Sequence, residues 1–213
     1  MYTTRFKKII IKFIKKYIVR FEFLEGYLSK SNINIRIAAL EKYIPKGGIG
    51  VELGVFKGRF SEVLLKNTKP KLLYLIDPWY QYEARWEWAS GDKSTINALR
   101  NILRKFKKDI ESGLVKLYVD SDIDILKRFQ SNSLDWAYID SSHEYEHTTI
   151  ELDLLCQKIK KGGVITGDDW YPDPHHKHHG VYKAVQEFID SGKIKLIYSG
   201  EKDRQWVTKN LCD

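Results

Sequence analysis

Short apolar segments rich in β-branched residues alternate with segments of helical periodicity from Gly47 onward. This alternation is typical of βα units that build a mostly parallel sheet with helices on both faces, so we expect an α/β fold. The predicted strands are Gly50–Val55, Leu72–Asp77, Val115–Val119, Leu134–Asp140, Val164–Asp168, Ile194–Tyr198 and Gln205–Lys209. The predicted helices are Arg59–Lys66, Ser94–Phe106, Thr149–Lys160 and Val181–Ile189.

The last two predicted strands flank Ser199-Gly200, which indicates an antiparallel hairpin at one edge of the sheet. The chain has 213 residues and shows no internal repeat or linker, so one folded domain is expected. We assign residues 47–213 to this domain and residues 1–46 to a basic helical leader. The two cysteines cannot form a disulfide scaffold, which favours a reducing compartment such as the cytoplasm.

The net charge of +8 is concentrated in the leader, which holds 11 Lys/Arg and 3 Asp/Glu, whereas residues 47–213 hold 25 of each. On a helical wheel, residues 1–24 form an amphipathic basic helix. Its lysines interrupt every apolar run, which excludes a signal peptide and a membrane span. Two interpretations stay open: packing on the body or on a second copy, and peripheral binding to an anionic membrane at its inner face.

A glycine turn follows the first predicted strand and contains Glu52, Gly54 and Gly58. In an open α/β sheet this turn is where a nucleotide-like ligand binds. Phe56 and Arg59 stand where a dinucleotide motif needs its second and third glycines, which disfavours a nicotinamide cofactor. Glu52 suits a ligand with an ammonium group and a carboxylate, such as the methionine half of S-adenosylmethionine (SAM). The alternative is a tight turn without a ligand.

Three further predicted strands end in carboxylates. Asp77 follows the second strand, where a carboxylate can accept both hydroxyls of a ribose; otherwise it is a simple turn former. Asp140, Asp168 and Asp169 follow two later strands and converge if those strands are neighbours. With no compensating lysine or arginine, their repulsion favours a divalent cation, and oxygen ligands favour Mg²⁺, Mn²⁺ or Ca²⁺ over zinc. Alternatively, the aspartates are helix caps and structural carboxylates.

The motifs occur in the order Glu52-x-Gly54-x-x-x-Gly58, Asp77, Ile139-Asp140-Ser-Ser-His143-x-Tyr145, and Gly162-Gly163 before Asp168-Asp169. In this order, roughly residues 47–200 resemble class I SAM-dependent methyltransferases. The most similar group is the metal-dependent O-methyltransferases of the catechol and macrolide-sugar (macrocin) type.

The resemblance implies a Rossmann-like methyltransferase fold, a seven-stranded and mostly parallel sheet with an antiparallel last strand. It implies SAM contacts at Glu52, Gly54, Gly58, Ser61, Asp77 and Ser121, and Mg²⁺ at Asp140, Asp168 and Asp169.

Catechol-type enzymes carry a lysine, and some sugar-modifying relatives an aspartate, near Ser142-His143 in this chain. His143 is the candidate general base, because its unperturbed pKa lies near neutrality. The alternative is a histidine bonded to the loop or to a metal ligand.

The expected acceptor is a small polyhydroxylated molecule, with a sugar as the leading candidate. Two segments are expected to shape the acceptor pocket, because aromatic faces stack on sugars and on flat rings alike. They hold the aromatic residues at 79–88, after Asp77, and those at 170–171 with the histidines at 175–179, after Asp169. The histidines form either a polar lid or a transition-metal site. The neutral body disfavours a nucleic-acid partner. A nicotinamide-dependent oxidoreductase and a membrane-docking nucleotide-binding module are the remaining alternatives.

Overall fold

The computed structural model describes residues 36–37, 41–80, 94–200 and 202–213. The predicted amphipathic helix at residues 1–24 lies outside the described residues, as does most of the aromatic segment that follows Asp77. None of the helices in the described ranges is long and apolar enough to cross a membrane.

Seven strands form one sheet, and all seven predicted strands are confirmed within a few residues. They are β1 (Ile49–Leu53), β2 (Leu72–Ile76), β3 (Val115–Tyr118), β4 (Leu134–Ile139), β5 (Ile159–Gly167), β6 (Ile194–Ser199) and β7 (Trp206–Asn210). The strand order across the sheet is β3-β2-β1-β4-β5-β7-β6. β7 runs antiparallel to both β5 and β6, while the other neighbouring pairs are parallel. The predicted C-terminal hairpin and the mostly parallel Rossmann-like methyltransferase sheet are therefore confirmed.

Six helices connect these strands in the described part of the chain. They are α1 (Arg59–Thr68), α2 (Ser94–Lys105), α3 (Lys107–Glu111), α4 (Asp122–Arg128), α5 (Tyr145–Lys158) and α6 (His179–Asp190). The sequence predicted four of them and missed the two shortest, α3 and α4. The prediction for α5 also began four residues late, at Thr149 instead of Tyr145.

Two hydrophobic cores cover the two faces of the sheet, as a parallel sheet requires. One core contains Leu126, Leu152 and Val185 of α4, α5 and α6. The other contains Leu64 of α1 and Ile102 of α2, and Ile44, which is 4% exposed, joins it from the segment before β1. The carboxyl ends of β1, β2, β4 and β5 are left side by side at one edge of the sheet, which is where the sequence places the candidate site.

Candidate functional site

Backbone hydrogen bonds extend the sheet one residue past three strands at this edge. The Gly54 N–H donates to the Ile76 carbonyl at 3.0 Å, and the Asp140 N–H donates to the Leu53 carbonyl at 2.8 Å. The Asp168 N–H donates to the carbonyl of Ile139 at 3.1 Å. The glycine turn and the two aspartates are therefore held in adjacent rows by the sheet itself.

Asp77 and Trp79 clamp the glycine turn. The Asp77 Oδ2 atom accepts the N–H groups of Val55 and Phe56 at 2.9 and 2.8 Å, and the Trp79 indole donates to the Phe56 carbonyl at 2.9 Å. Asp77 therefore uses one oxygen for the turn, and its other oxygen is left for a ribose. Trp79 is fully buried and belongs to the core, which corrects its expected place in the acceptor pocket.

Gly54 brings the turn into contact with the loop after β4. Its φ of 82° lies in the left-handed region, and a Cβ atom there would overlap the Asp140 carbonyl oxygen. Only glycine allows both the backbone angle and this close approach. The position of the turn relative to Asp140 is fixed by this contact.

Glu52 and Ser61 supply buried polar atoms behind the turn. Glu52 is 1% exposed, and neither its Oε2 atom nor the Ser61 hydroxyl has a hydrogen-bond partner among the described residues. Burial raises the pKa of Glu52 well above its ordinary range. Because unpartnered buried acceptors are costly, this carboxylate fits a ligand that brings a donor such as an ammonium group.

Ser121 and Gly58, two further residues of the expected cofactor site, each precede a helix. Ser121 precedes α4 at the carboxyl end of β3, and its N–H donates to Asp120 Oδ1 at 2.9 Å. The Tyr80 hydroxyl donates to the same oxygen at 3.0 Å, which joins the loops after β2 and β3. Gly58 precedes α1 with a φ of 63°, packed against Phe106.

The structure brings Asp140, Asp168 and Asp169 together, with one oxygen of each within 4.8 Å of the others. Our assumption that no cation compensates them is wrong. The Arg36 guanidinium forms an ion pair with Asp168, and its Nη1 atom lies 3.6 Å from Asp140 Oδ2. Arg36 also lies over the Phe60 ring, with its Cζ atom 5.5 Å from the ring centroid. It belongs to the predicted leader, and no motif in the sequence marks it as a site residue.

Gln205 holds Asp168 from the other side and was also missed by the sequence analysis. Its Nε2 atom donates to Asp168 Oδ1 at 2.6 Å, and its Oε1 atom accepts the Tyr138 hydroxyl at 2.7 Å. All three side chains are buried. This chain of hydrogen bonds fixes Asp168, so that its other oxygen faces Arg36.

His143 and Asp169 form a hydrogen-bonded pair. The Nδ1 atom of His143 lies 2.5 Å from Asp169 Oδ2. Burial lowers the pKa of His143, but the contact with Asp169 outweighs it and raises this pKa above its ordinary value. Burial opposes ionisation of Asp169, yet its histidine partners hold its pKa well below the ordinary range. Both residues have positive φ angles, 61° and 66°, which is strained backbone of the kind found at functional sites.

His178 completes the environment of Asp169. Its Nδ1 atom lies 2.9 Å from Asp169 Oδ1, and its ring stacks on that of His143 with a centroid separation of 4.5 Å. The sequence predicts a lid or a transition-metal site for the histidine run at 175–179, and the structure brings His178 to the carboxyl edge of the sheet. Trp170, expected in the acceptor pocket, is instead 6% exposed and packs in the core against Tyr182.

Comparison with known proteins identifies the family. A family model described as a methyltransferase domain matches residues 51–170, from β1 to the residue after Asp169, which is more than half of the chain. The chain belongs to this methyltransferase family. It is a SAM-dependent methyltransferase with the class I fold, and the family match favours this activity over the oxidoreductase and the docking module.

Solved structures share the fold of this methyltransferase at low sequence identity. One is a Streptococcus mutans protein described as a methyltransferase, in complex with SAH, with a TM-score of 0.57 and 14% identity over 84% of this chain and 97% of that chain. Another, from Clostridium thermocellum and described as an rRNA methylase, has a TM-score of 0.59 and 12% identity over 85% and 97%. A Corynebacterium glutamicum protein gives 0.61 and 10% over 96% and 98%. No curated protein sequence matches the chain.

Proposed function

We propose that this methyltransferase transfers the methyl group of SAM to a hydroxyl oxygen, with His143 as the general base. The observation that carries this proposal is the 2.5 Å contact between His143 Nδ1 and Asp169 at the carboxyl edge of the sheet. A carboxylate on Nδ1 fixes the tautomer whose Nε2 atom accepts a proton. Because that pair lies beside the loops expected to hold the cofactor, the proton acceptor and the methyl donor meet at one edge.

The SAM site comprises Glu52, Gly54, Gly58, Ser61, Asp77 and Ser121. The unpartnered buried oxygen of Glu52 fits the ammonium group of the methionine half, and the open oxygen of Asp77 fits one ribose hydroxyl. We assign Ser121, which follows β3, to the adenine side. The structure from Streptococcus mutans in complex with SAH has the same fold, which supports this choice of methyl donor.

The reaction is a displacement at the methyl carbon. The acceptor hydroxyl gives its proton to His143 Nε2, its oxygen forms a bond to the methyl carbon, and the carbon–sulfur bond breaks with its electron pair staying on sulfur. The protein supplies alignment and a base of suitable pKa. Asp169, whose Oδ2 atom lies 2.5 Å from His143 Nδ1, stabilises the imidazolium that forms.

Asp140, Asp168 and Asp169 fit Mg²⁺ by donor chemistry and by convergence, and we propose them as its ligands. A bound Mg²⁺ would orient the acceptor hydroxyl and lower its pKa. The guanidinium of Arg36 pairs with two of the same carboxylates, so Arg36 and the ion compete for them. Mg²⁺ can therefore assist the reaction only if the Arg36 guanidinium moves away from these carboxylates.

We propose a small polyhydroxylated acceptor, with a sugar as the leading candidate. The charge-neutral body, with 25 Lys/Arg and 25 Asp/Glu in residues 47–213, supports a small molecule over a nucleic acid. The competing acceptor is RNA, because the fold is shared with a structure described as an rRNA methylase.

The test is calorimetric titration with SAM, followed by methyl transfer to monosaccharides, catechol and total RNA, each with Mg²⁺ and with a chelator. We expect SAM binding, transfer to a hydroxylated small molecule and a faster rate with Mg²⁺. Transfer to RNA alone would contradict the acceptor proposal, and an unchanged rate in chelator would contradict the metal proposal.

A further inference from the structure

A second group of buried polar side chains lies between α4 and α5, separate from the carboxylates described above. Asp122 is the first residue of α4, and His147 and Glu151 lie one helical turn apart on α5. Asp122 is 5% exposed and Glu151 0% exposed. Ser141, in the loop after β4, donates its hydroxyl to Glu151 Oε1 at 2.6 Å.

One imidazole nitrogen faces three carboxylate oxygens in this cluster. The Nε2 atom of His147 lies 3.0 Å from both carboxylate oxygens of Asp122 and 3.7 Å from Glu151 Oε1. The Ile123 N–H donates to Asp122 Oδ1 at 2.6 Å and Ser141 donates to Glu151 Oε1, so the single imidazole nitrogen is left to pair with Asp122 Oδ2. The arrangement has more acceptors than donors.

Glu151 provides the second observation. Its Oε2 atom is buried and accepts no hydrogen bond from an N–H or hydroxyl group of the described residues. The ion pairs formed within the described ranges bring no lysine or arginine to Asp122 or Glu151. Two buried carboxylates beside a single imidazole favour a further positive charge, which makes this cluster a candidate for a bound cation.

We propose that Asp122, His147 and Glu151 bind one Zn²⁺ ion. Ligand bonds of about 2.0–2.2 Å in a tetrahedral zinc site give ligand separations of about 3.3–3.6 Å. The observed separations of 3.0 and 3.7 Å from His147 Nε2 bracket that spacing. An imidazole combined with carboxylates suits zinc, and the Ser141 hydroxyl orients the Glu151 ligand from outside.

The ion would connect the active site to the helices on one face of the sheet. Asp122 follows Ser121 of the expected cofactor site, and Ser141 lies between Asp140 and His143 in the loop after β4. Zinc bound to Asp122 and Glu151 would thus brace both loops through α4 and α5. This role is distinct from that of Mg²⁺ at Asp140, because neither ligand set shares a residue with the other.

The experiment uses the full chain, stripped of metal with a chelator and then dialysed against Zn²⁺ or Co²⁺. We expect one tightly held Zn²⁺ per chain by elemental analysis and a visible ligand-field band with Co²⁺. His147→Gln and Glu151→Gln should each weaken Zn²⁺ binding by more than about 100-fold, since even residues that only orient a ligand change affinity by about 10- to 100-fold.

Asp169→Asn is the matched control, because Asp169 belongs to both other clusters of metal-ligating side chains among the described residues. It should leave tight Zn²⁺ binding intact. His147→Cys should add a thiolate-to-cobalt absorption that the wild type lacks, which reports direct coordination. The proposal is overturned if the wild type binds no metal tightly, if His147→Cys gives no new absorption, or if Asp169→Asn abolishes binding while His147→Gln retains it.

Discussion

Single side chains set the chemistry of the catalytic edge, and the His143–Asp169 pair is the most informative. Asp169 is surrounded by two imidazoles, and His143 Nδ1 approaches it to 2.5 Å. Asp140 adds a second negative charge near His143, while Lys177 acts in the opposite direction on its pKa. The two carboxylates therefore raise the pKa of the proposed base, and the lysine lowers it.

The pH profile of methyl transfer tests this arrangement. A base must be neutral to accept a proton, so kcat should rise with pH through a pKa above the ordinary 6.5 of histidine. Asp169→Asn removes the charge that raises this pKa and should move the rise to lower pH. Lys177→Gln should move it slightly to higher pH, and identical profiles for the three proteins would contradict the role of His143.

The competition at the carboxylates gives a second prediction at this scale. Arg36→Gln removes the guanidinium that pairs with Asp140 and Asp168, so Mg²⁺ should bind about tenfold more tightly. Calorimetric titration with Mg²⁺ measures the change. Lys42→Gln is the control, because Lys42 is exposed, lies over Tyr43 and has the same charge. An equal change in both variants would show a general effect of charge.

The sequence predicted which carboxylates share this edge, because strand ends and turn glycines are local signals. It could not predict Arg36, because the only pattern around it indicates a helix and its partners lie far along the chain. Gln205 was missed for the same reason: its role depends on β7 inserting beside β5, which no local pattern reveals. His143 was found because it follows a strand that ends in Asp140.

At the scale of elements, the apolar strands were predictable and the short helices were not. The α3 helix has five residues and no buried side chain, and α4 buries only Asp122, Ile125 and Leu126. Neither has an apolar face long enough for periodicity to show. β5 begins at Ile159, earlier than predicted, because Ile159 pairs with Leu134 before a register shift. The conformation of the glycine turn between β1 and α1 depends both on the backbone angles of its glycines and on its contact with the loop after β4.

Gly54→Ala tests the close approach of this turn to the loop after β4. The Cβ would overlap the Asp140 carbonyl in addition to requiring a positive φ, so we expect a loss of about 2–4 kcal/mol in unfolding free energy. Gly192→Ala has a similar φ of 73° with nothing within 4 Å of the added atom, and should cost about 1 kcal/mol. Equal losses in urea unfolding would show that the contact is unimportant.

Asp77→Asn tests the role of the Asp77 carboxylate, which accepts two backbone hydrogen bonds from the same turn. Burial outweighs its two backbone hydrogen bonds and raises its pKa from 3.8 to about 6. The folded state thus binds a proton more tightly than the unfolded state, so stability falls as pH rises from 3.8 to about 6. The loss amounts to about 3 kcal/mol at most. Asp77→Asn should lack this fall, and parallel urea-unfolding curves for both proteins across that window would contradict it.

At the scale of the whole molecule, the family match and the sheet order agree on a class I methyltransferase. The seven-stranded sheet with an antiparallel last strand was implied by the resemblance, and the C-terminal hairpin also followed from the residues alone. The excess positive charge lies in residues 1–46, so the catalytic body is neutral. This distribution supports a small acceptor at the carboxyl edge, and it leaves the leader as a predicted contact for a membrane or a second copy.

The most direct test is the rate of methyl transfer from SAM to a hydroxylated small molecule, measured beside SAM affinity in His143→Gln and His175→Gln. Both variants lose one imidazole, but His175 is exposed in the loop after β5. We predict that His143→Gln lowers the transfer rate by about 100- to 10,000-fold with little change in SAM affinity, while His175→Gln keeps the wild-type rate. A near-normal rate in His143→Gln would contradict the proposed catalytic base.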